Sequence, residues 1–370
     1  MNVLIEARSL AAKSGGIRSY TSELITHLLR AQRTSTIEIL YGSAALLGTF
    51  PESKETVIPL YSELLLSYWM SFPVASYVKE KRPSVVHYTK TAMPYTKTVP
   101  TVVTMYDIIP VLLPETQSPV RRLYWPYVLE HVAKNADHII TISNQSKQDI
   151  MTQYGTSEEK ITVTPLAVDT THFKPSGEKS SEPYILFVGT RDQRKNISTL
   201  IRAFTAIAHT IPHRLVIAGR RADKKDDSKR VAARSGLEQR IEFREYVPYS
   251  DLPALYAGAD LFVWPSVYEG WGFPPQEAMA CGTPVIVSNA GALPEVVGDA
   301  GRIVPFVQQD IHMRMNDTEF THSLSSAMLT VLQSPALQQS MIQNGLTQAR
   351  KFSWDSLAVS TWDVYNRISS

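Results

Sequence analysis

Two glutamates, Glu269 and Glu277, stand on either side of a Gly- and Pro-rich turn in SVYEGWGFPPQEAMACGTPV, residues 266–285. An ionised carboxylate only accepts hydrogen bonds, and its two oxygens suit the paired hydroxyls of a ribose or a hexose. A second stretch, FVGTRDQRKN at 187–196, sets Arg191, Arg194 and Lys195 within five positions. Cations so grouped can neutralise a diphosphate and favour its departure as a leaving group. A third, AAKSGGIRSY at 11–20, carries Gly15 and Gly16, where backbone N–H groups at a helix start could face an anion. Each has a plainer reading. Glu277 could serve only the helix dipole and Glu269 a turn, the cations could form a solvated basic loop, and a lone Gly-Gly is not a dinucleotide fingerprint.

These residues need elements to hold them in place. Pro274 and Pro275 fit the first turn of a helix and Gly282 the position past its end, so QEAMAC is its body. Glu277 then lies in the first turn, and Glu269 in the loop after the strand LFVWPS. Short apolar runs recur before it: NVLIEA (2–7), IEIL (37–40), SVVHY (84–88), TVVTMYD (101–107) and HIITIS (138–143). A polar, proline-bearing stretch at 164–184 follows, and then YILFVG (184–189), RLVIAG (214–219), IEFREYV (241–247), LFVWPS (261–266) and TPVIVS (283–288). Strands of this kind separated by helices predict parallel sheets covered on both faces. The chain therefore reads as α/β, with two Rossmann-like doubly wound domains at 1–170 and 171–352, a cleft between them, and a C-terminal helix at 353–370 that starts after Ser353.

Composition narrows the partners. Of 370 residues, 37 are Lys or Arg and 35 Asp or Glu, which gives no overall field for nucleic acid, so any basic patch is local. Cys281 is the single cysteine, so no disulfide within the chain and no cysteine-built zinc site is expected. The opening MNVLIEARSL lacks the order of a signal peptide, and a cytoplasmic location is expected. The apolar stretch YSELLLSYWMSFPVASYV at 61–78 is interrupted by Glu63, serines and Pro73 before it reaches the about 20 residues a membrane span needs. It reads as a core-packed helix pair broken at Pro73, with a membrane-surface helix as the other possibility.

The run SVYEGWGFPPQEAMACGTPVIVSNAGALPEVVGDAG at 266–301 closely resembles the signature of retaining glycosyltransferases of family four, which have the GT-B fold. The resemblance extends to FVGTRDQRKN, the GGI loop, TISNQSKQDI, EYVPYSDLPALYAGAD and the FSW start of the last helix. It implies a nucleotide-diphosphate sugar held mainly by the C-terminal domain and an acceptor held mainly by the N-terminal one. It implies that Glu277 binds the ribose, and that Glu269 with the backbone of Trp271, Gly272 and Phe273 binds the sugar. Arg194 and Lys195 match the diphosphate pair, Gly15 and Gly16 the phosphate loop, and the segment around Val247 the base pocket. The last helix is implied to cross back onto the first domain.

In TVVTMYDIIP the family commonly has His before the Asp, where this chain has Tyr106 beside Asp107. Tyr donates a hydrogen bond but carries no positive charge at neutral pH; His87 in SVVHY is a possible substitute. The resemblance implies metal-independent transfer with retention, using no cofactor beyond the donor itself. GDP-mannose is the first donor expected, from the likeness to bacterial mannosyl- and rhamnosyltransferases of surface polysaccharide assembly, ahead of dTDP-rhamnose and UDP-glucose. The acceptor expected is a glycan or lipid-linked oligosaccharide, with possible peripheral contact at the inner membrane face involving Trp69, Tyr124 or Trp125. A sugar-nucleotide epimerase, a phosphorylase of the same fold and a noncatalytic sugar-nucleotide-binding subunit are the alternatives.

Overall fold

In a computed structural model of the chain, residues 1–369 are described apart from 13, 14, 32–34, 63, 64, 178, 223, 224, 313, 315 and 316. Lys13 and Ser14 of the glycine loop, and Glu63 of the apolar stretch, thus lie outside the described residues. Two units emerge, one of Met1–Leu166 with Ser353–Ser370 and one of Ala167–Phe352.

The first unit is built on seven strands: β1 (Asn2–Glu6), β2 (Thr36–Tyr41), β3 (Lys54–Val57), β4 (Val85–Tyr88), β5 (Thr101–Thr104), β6 (His138–Thr141) and β7 (Ile161–Val163). They pair in parallel in the order β3-β2-β1-β4-β5-β6-β7. The second unit has β8 (Tyr184–Val188), β9 (Arg214–Ala218), β10 (Ile241–Arg244), β11 (Leu261–Trp264), β12 (Val285–Ser288) and β13 (Arg302–Val304). Its order is β10-β9-β8-β11-β12-β13, again parallel. Counted within each unit this is the doubly wound order 3-2-1-4-5-6 of a Rossmann-like sheet, with a seventh strand added at the far edge in the first unit. The central strands are fully buried, as continuous apolar runs in a doubly covered sheet require. The strands that the sequence did not reveal, β3, β7 and β13, all lie at edges, where KETV, ITV and RIV stay partly exposed.

Doubly wound order matters because it creates a switch point where consecutive connections leave to opposite sides, and ligands bind at the carboxyl ends of the strands there. In the second unit that point separates β8 from β11, paired through Leu261 with Ile185 and Phe262 with Leu186. The loop after β8 carries Arg194 and Lys195, and the loop after β11 carries Glu269. Segments far apart in sequence are thereby made neighbours.

The expected break at Pro73 does not occur. Helix Leu66–Trp69 runs through a π turn, Met70–Val74, into helix Ala75–Lys81. A wider turn accommodates the ring and the missing N–H of Pro73, which an unmodified α-helix would not. Leu66, Trp69, Met70, Val74 and Val78 face the core, and Trp69 donates from its indole to Ile58 O at 2.9 Å. Helix Trp354–Ser369 returns to the first unit, where Tyr365 is buried and its hydroxyl meets His87 Nδ1 at 2.6 Å. Trp362 donates to Leu28 O at 3.3 Å on helix Gly16–Ala31.

Candidate active site

Glu269 is buried and surrounded by donors. Lys195 Nζ lies 2.6 Å from its Oε1, Arg194 Nη1 2.6 Å from its Oε2, and the Trp264 indole N–H 3.2 Å from Oε1. The Ser266 hydroxyl donates to the same Oε1. Burial alone would raise the Glu269 pKa, but the charges of Arg194 and Lys195, with hydrogen bonds from Lys195 and Ser266, outweigh it and hold the group at about 2. Lys195 is itself buried, 4.5 Å above the Trp264 ring, and its pKa is lowered first by desolvation and then by Arg194, while Glu269 opposes both. The result is a cluster of two basic side chains around one carboxylate.

Local backbone explains the convergence. After β8 the chain makes a turn, Gln193–Lys195, and leaves it through Asn196 at φ +55°, a left-handed conformation that Asn enters more readily than most residues. Helix Ile197–Ile207 follows. The turn is tied to the β11 loop by Val267 N to Arg194 O at 2.9 Å, and Arg194 Nη1 also donates to Tyr268 O at 2.8 Å. On the other side, Gly291, at φ +61°, passes so close to Glu269 that an added Cβ would sit 2.1 Å from its carbonyl oxygen. Ala292 N then donates to that carbonyl at 2.9 Å.

The expected three-cation loop resolves into two. Arg191 is buried in the opposite direction, with Nη2 at 3.0 Å from Glu245, Nε at 3.4 Å from Asp226 and its guanidinium over Phe243. Its backbone continues the sheet by bonding Arg220 O and bridging to Arg221, which turns the side chain away from Arg194 and Lys195.

Helix Phe273–Ala280 begins one residue before the proline pair, so Glu277 falls in its second turn rather than the first. The helix-dipole reading of Glu277 loses its basis, because that effect fades beyond the first turn. The helix closes as expected past Ala280. Gly282 N bonds Met279 O and Thr283 N bonds Ala278 O, the paired pattern of a Schellman cap, with Gly282 at φ +76°. Glu277 Oε2 accepts a hydrogen bond from Tyr256 OH at 2.7 Å. Burial raises its pKa to about 7, against the lowering effect of that bond. Glu277 is thus poised near neutrality while Glu269 stays ionised. Trp271 is buried edge-on to Phe352 at 5.1 Å, with its indole N–H 3.4 Å from Gln276 Oε1. Gly272 precedes the helix in extended conformation, and its carbonyl accepts from Gln276 N at 3.2 Å. Val247 is half-buried three residues past the end of β10, between the exposed Tyr246 and Pro248.

In the first unit, Gly15 takes φ +123° and immediately precedes helix Gly16–Ala31, so the first-turn N–H groups are at an exposed end. Tyr106 is buried, edge-on to Tyr20 at 5.2 Å, and donates its hydroxyl proton to Thr89 O at 2.5 Å. That proton is thus engaged within the core in this structure. Asp107 accepts from Ile109 N at 2.9 Å and so caps the following turn. His87 does not replace the missing family histidine. It is wholly buried between Tyr365 OH and Thr104 Oγ1, the latter at 2.8 Å, and desolvation lowers its pKa to about 3. Three partners escaped the sequence reading: Ser266 and Trp264 around Glu269, and Tyr256 against Glu277. The first two sat in the strand-end run LFVWPS, but Tyr256 comes from helix Leu252–Ala257 and carries no local signal.

The chain is thus two doubly wound parallel units, with the last helix returned to the first and two basic side chains against an acid at the switch point of the second. Residues 168–347 match the family described as Glycosyl transferases group 1, and residues 14–172 match Glycosyltransferase Family 4. An O-antigen chain mannosyltransferase B of Escherichia coli is 28% identical over 99% of this chain and 99% of its own length. An O-antigen chain mannosyltransferase of Salmonella typhimurium is 31% identical over 62% of this chain and 63% of its own. The fold is also that of a sucrose-phosphate synthase from Thermosynechococcus elongatus, with a TM-score of 0.78, 20% identity and coverage of 99% and 98% of the two chains. Anabaena HepE in complex with UDP-glucose gives a TM-score of 0.74 at 17% identity, over 99% of this chain and 100% of that one. Through these two matches, which together span residues 14–347, the chain is a glycosyltransferase of the GT-B fold, its first half matching family four and its second half group 1.

Proposed function

We propose that this enzyme transfers a mannosyl group from GDP-mannose, with retention and without a metal ion, to a glycan or lipid-linked saccharide of a surface polysaccharide. The donor preference rests on the two O-antigen relatives, both of them mannosyltransferases. The observation that carries the reading is the buried cluster of Glu269, Lys195 and Arg194 at the carboxyl ends of β8 and β11.

In this reading Arg194 and Lys195 turn from Glu269 towards the donor diphosphate and stabilise the charge that develops as the C1–O bond breaks. Glu269 then accepts hydroxyls of the sugar, Glu277 accepts the ribose diol, and the backbone at Trp271, Gly272 and Phe273 completes the sugar site. Val247 lies at the base pocket, and Gly15 and Gly16 at the phosphates. The acceptor oxygen forms its bond to C1 on the face the diphosphate leaves, and its proton passes to a diphosphate oxygen. Asp107 and Tyr106 hold the strand end of the first unit in shape. The enzyme acts in the cytoplasm or on the inner face of the membrane.

Calorimetry against GDP-mannose, dTDP-rhamnose and UDP-glucose tests the donor. Tightest binding of GDP-mannose supports the reading, and tighter binding of either rival overturns it. Incubation with lipid-linked saccharide in chelator, followed by NMR of the product, tests the rest. Loss of activity in chelator refutes metal independence, an inverted anomeric centre refutes retention, and conversion of donor without acceptor identifies an epimerase. Donor binding with no transfer to any acceptor identifies a binding subunit.

A further inference from the structure

The first unit exposes large apolar side chains along two helices that border one groove. On the helix through Pro73, Leu65, Tyr68 and Phe72 recur at helical spacing and are 50%, 61% and 59% exposed, with the Tyr68 and Phe72 rings 4.9 Å apart. Trp69 and Met70, the next residues round the helix, are already buried in the core. The exposed stripe is therefore a second apolar face. On helix Pro119–Asn135, Val120, Leu123 and Tyr127 show the same spacing at 72%, 73% and 72% exposure. Ser67 and Ser71 form one wall of the groove, and Tyr124 and Tyr127 the other.

Charge is arranged to match. No residue from Leu65 to Val78 is charged, and from Gln117 to Leu129 the charged residues are Arg121 and Arg122, both exposed. Glu130, the next acid along this helix, is paired with Lys134 at 2.5 Å. In a chain of net charge +2, an apolar and tyrosine-rich face carrying two adjacent arginines is a local concentration. Tyr and Phe side chains that sit at the boundary between headgroups and acyl chains, with Arg reaching lipid phosphates, are the chemistry of a membrane interface. Among the described residues no helix is long and apolar enough to cross a membrane, so the contact would lie on the surface.

We infer that this face seats the protein on an anionic phospholipid bilayer. The aromatic residues named from the sequence, Trp69, Tyr124 and Trp125, are buried or half-buried, and their neighbours Tyr68, Phe72, Leu123 and Tyr127 make the contact instead.

The inference is independent of the donor assignment and is tested by sedimentation of the full chain with vesicles. Binding to phosphatidylcholine mixed with phosphatidylglycerol should exceed binding to phosphatidylcholine alone by about twenty-five-fold, from a factor of about five for each arginine. Arg121→Gln with Arg122→Gln should remove that difference. Tyr68→Ser with Phe72→Ser, or Leu123→Ser with Tyr127→Ser, should abolish sedimentation with either vesicle. Absence of binding by the unaltered protein, or binding that none of these changes reduces, overturns the inference. So does a dimer in light scattering that the serine pairs dissolve while vesicles are ignored, because the face then joins two copies. Should a serine pair fail to fold, the arginine pair, at exposed positions, decides. Calorimetry of nucleotide-sugar binding on the same variants should be unchanged, which separates failure here from failure of the donor reading.

Discussion

The two units share one strand order and differ in what they place at the carboxyl ends of their central strands. In the second, Glu269, Arg194, Lys195 and Glu277 gather charge around β8 and β11. In the first, the equivalent edge is mostly neutral. His87, Thr104, Tyr20 and Tyr365 form a chain of buried hydrogen bonds, Tyr106 spends its proton on Thr89, and the buried Glu6 and Arg8 pair with each other. A topology that creates a switch point does not by itself create a site. The difference lies in whether the polar groups are consumed within the fold or held in tension by burial, as Lys195 and Glu277 are.

If charge in the second unit does the chemistry, removing it should have the largest effect. Glu269→Ala and Lys195→Ala should each lower the transfer rate by about a thousandfold, the upper range for loss of one electrostatic stabiliser. Glu269→Ala also leaves two cations partly buried without their counterion, so a drop of about 3 kcal/mol in stability is expected alongside. Initial rates, with thermal melting as the control for folding, check both. Full turnover in either variant would erase the contrast between the units.

The neutral edge makes the opposite prediction, about stability rather than rate. The folded pKa of His87, about 3, lies below its ordinary value near 6.5, so the unfolded chain binds a proton more readily. The neutral ring favours folding above pH 6.5, and that advantage is lost as the pH falls towards 3, at about 1.4 kcal/mol per pH unit. Denaturant midpoints between pH 7 and 4 should fall less in His87→Gln, which keeps a hydrogen-bonding side chain but does not titrate. Equal slopes in both proteins would mean that another group carries the acid sensitivity.

How far this contrast could be read from the sequence follows from the range of the forces involved. The parallel sheets were legible because β-branched runs such as HIIT and VIVS report burial locally, and the cap of the Phe273–Ala280 helix was legible because Pro and Gly fix backbone angles. Edge strands such as KETV were not, since their side chains stay partly exposed and the apolar signal fades. Glu269, Arg194 and Lys195 were legible as residues but not as one cluster, because their contact depends on β8 lying beside β11. Arg191 was misread for the same reason: its partners Asp226 and Glu245 arrive from other loops.

Glu277 sharpens the contrast within the second unit itself. With a pKa of about 7 in the free protein, it is protonated below neutrality, and only the carboxylate can accept both hydroxyls of a ribose. Donor affinity measured by calorimetry should weaken by up to about tenfold for each pH unit below 7, until the pKa of the complex is reached. Glu277→Gln should bind more weakly at pH 8 and show no such slope. PH-independent binding by the unaltered protein would remove Glu277 from the donor site.

Tyr106→Phe should have the smallest effect and separates the units most finely. The family position next to Asp107 would carry chemistry if the first unit contributed a proton donor to the sugar. Here Tyr106 is buried, its pKa is raised well above the ordinary value by desolvation, and its hydroxyl donates to the Thr89 carbonyl. Its removal leaves that buried carbonyl without this donor, a cost of about 1 kcal/mol, while the ring keeps its packing against Tyr20. Melting should shift by a few degrees and kcat should stay within a factor of about two, since a bond made equally in free and bound enzyme cancels from the barrier. A large fall in kcat with unchanged melting would instead show that Tyr106 exchanges Thr89 for the substrate during turnover. The neutral edge of the first unit would then be a resting arrangement that the reaction opens.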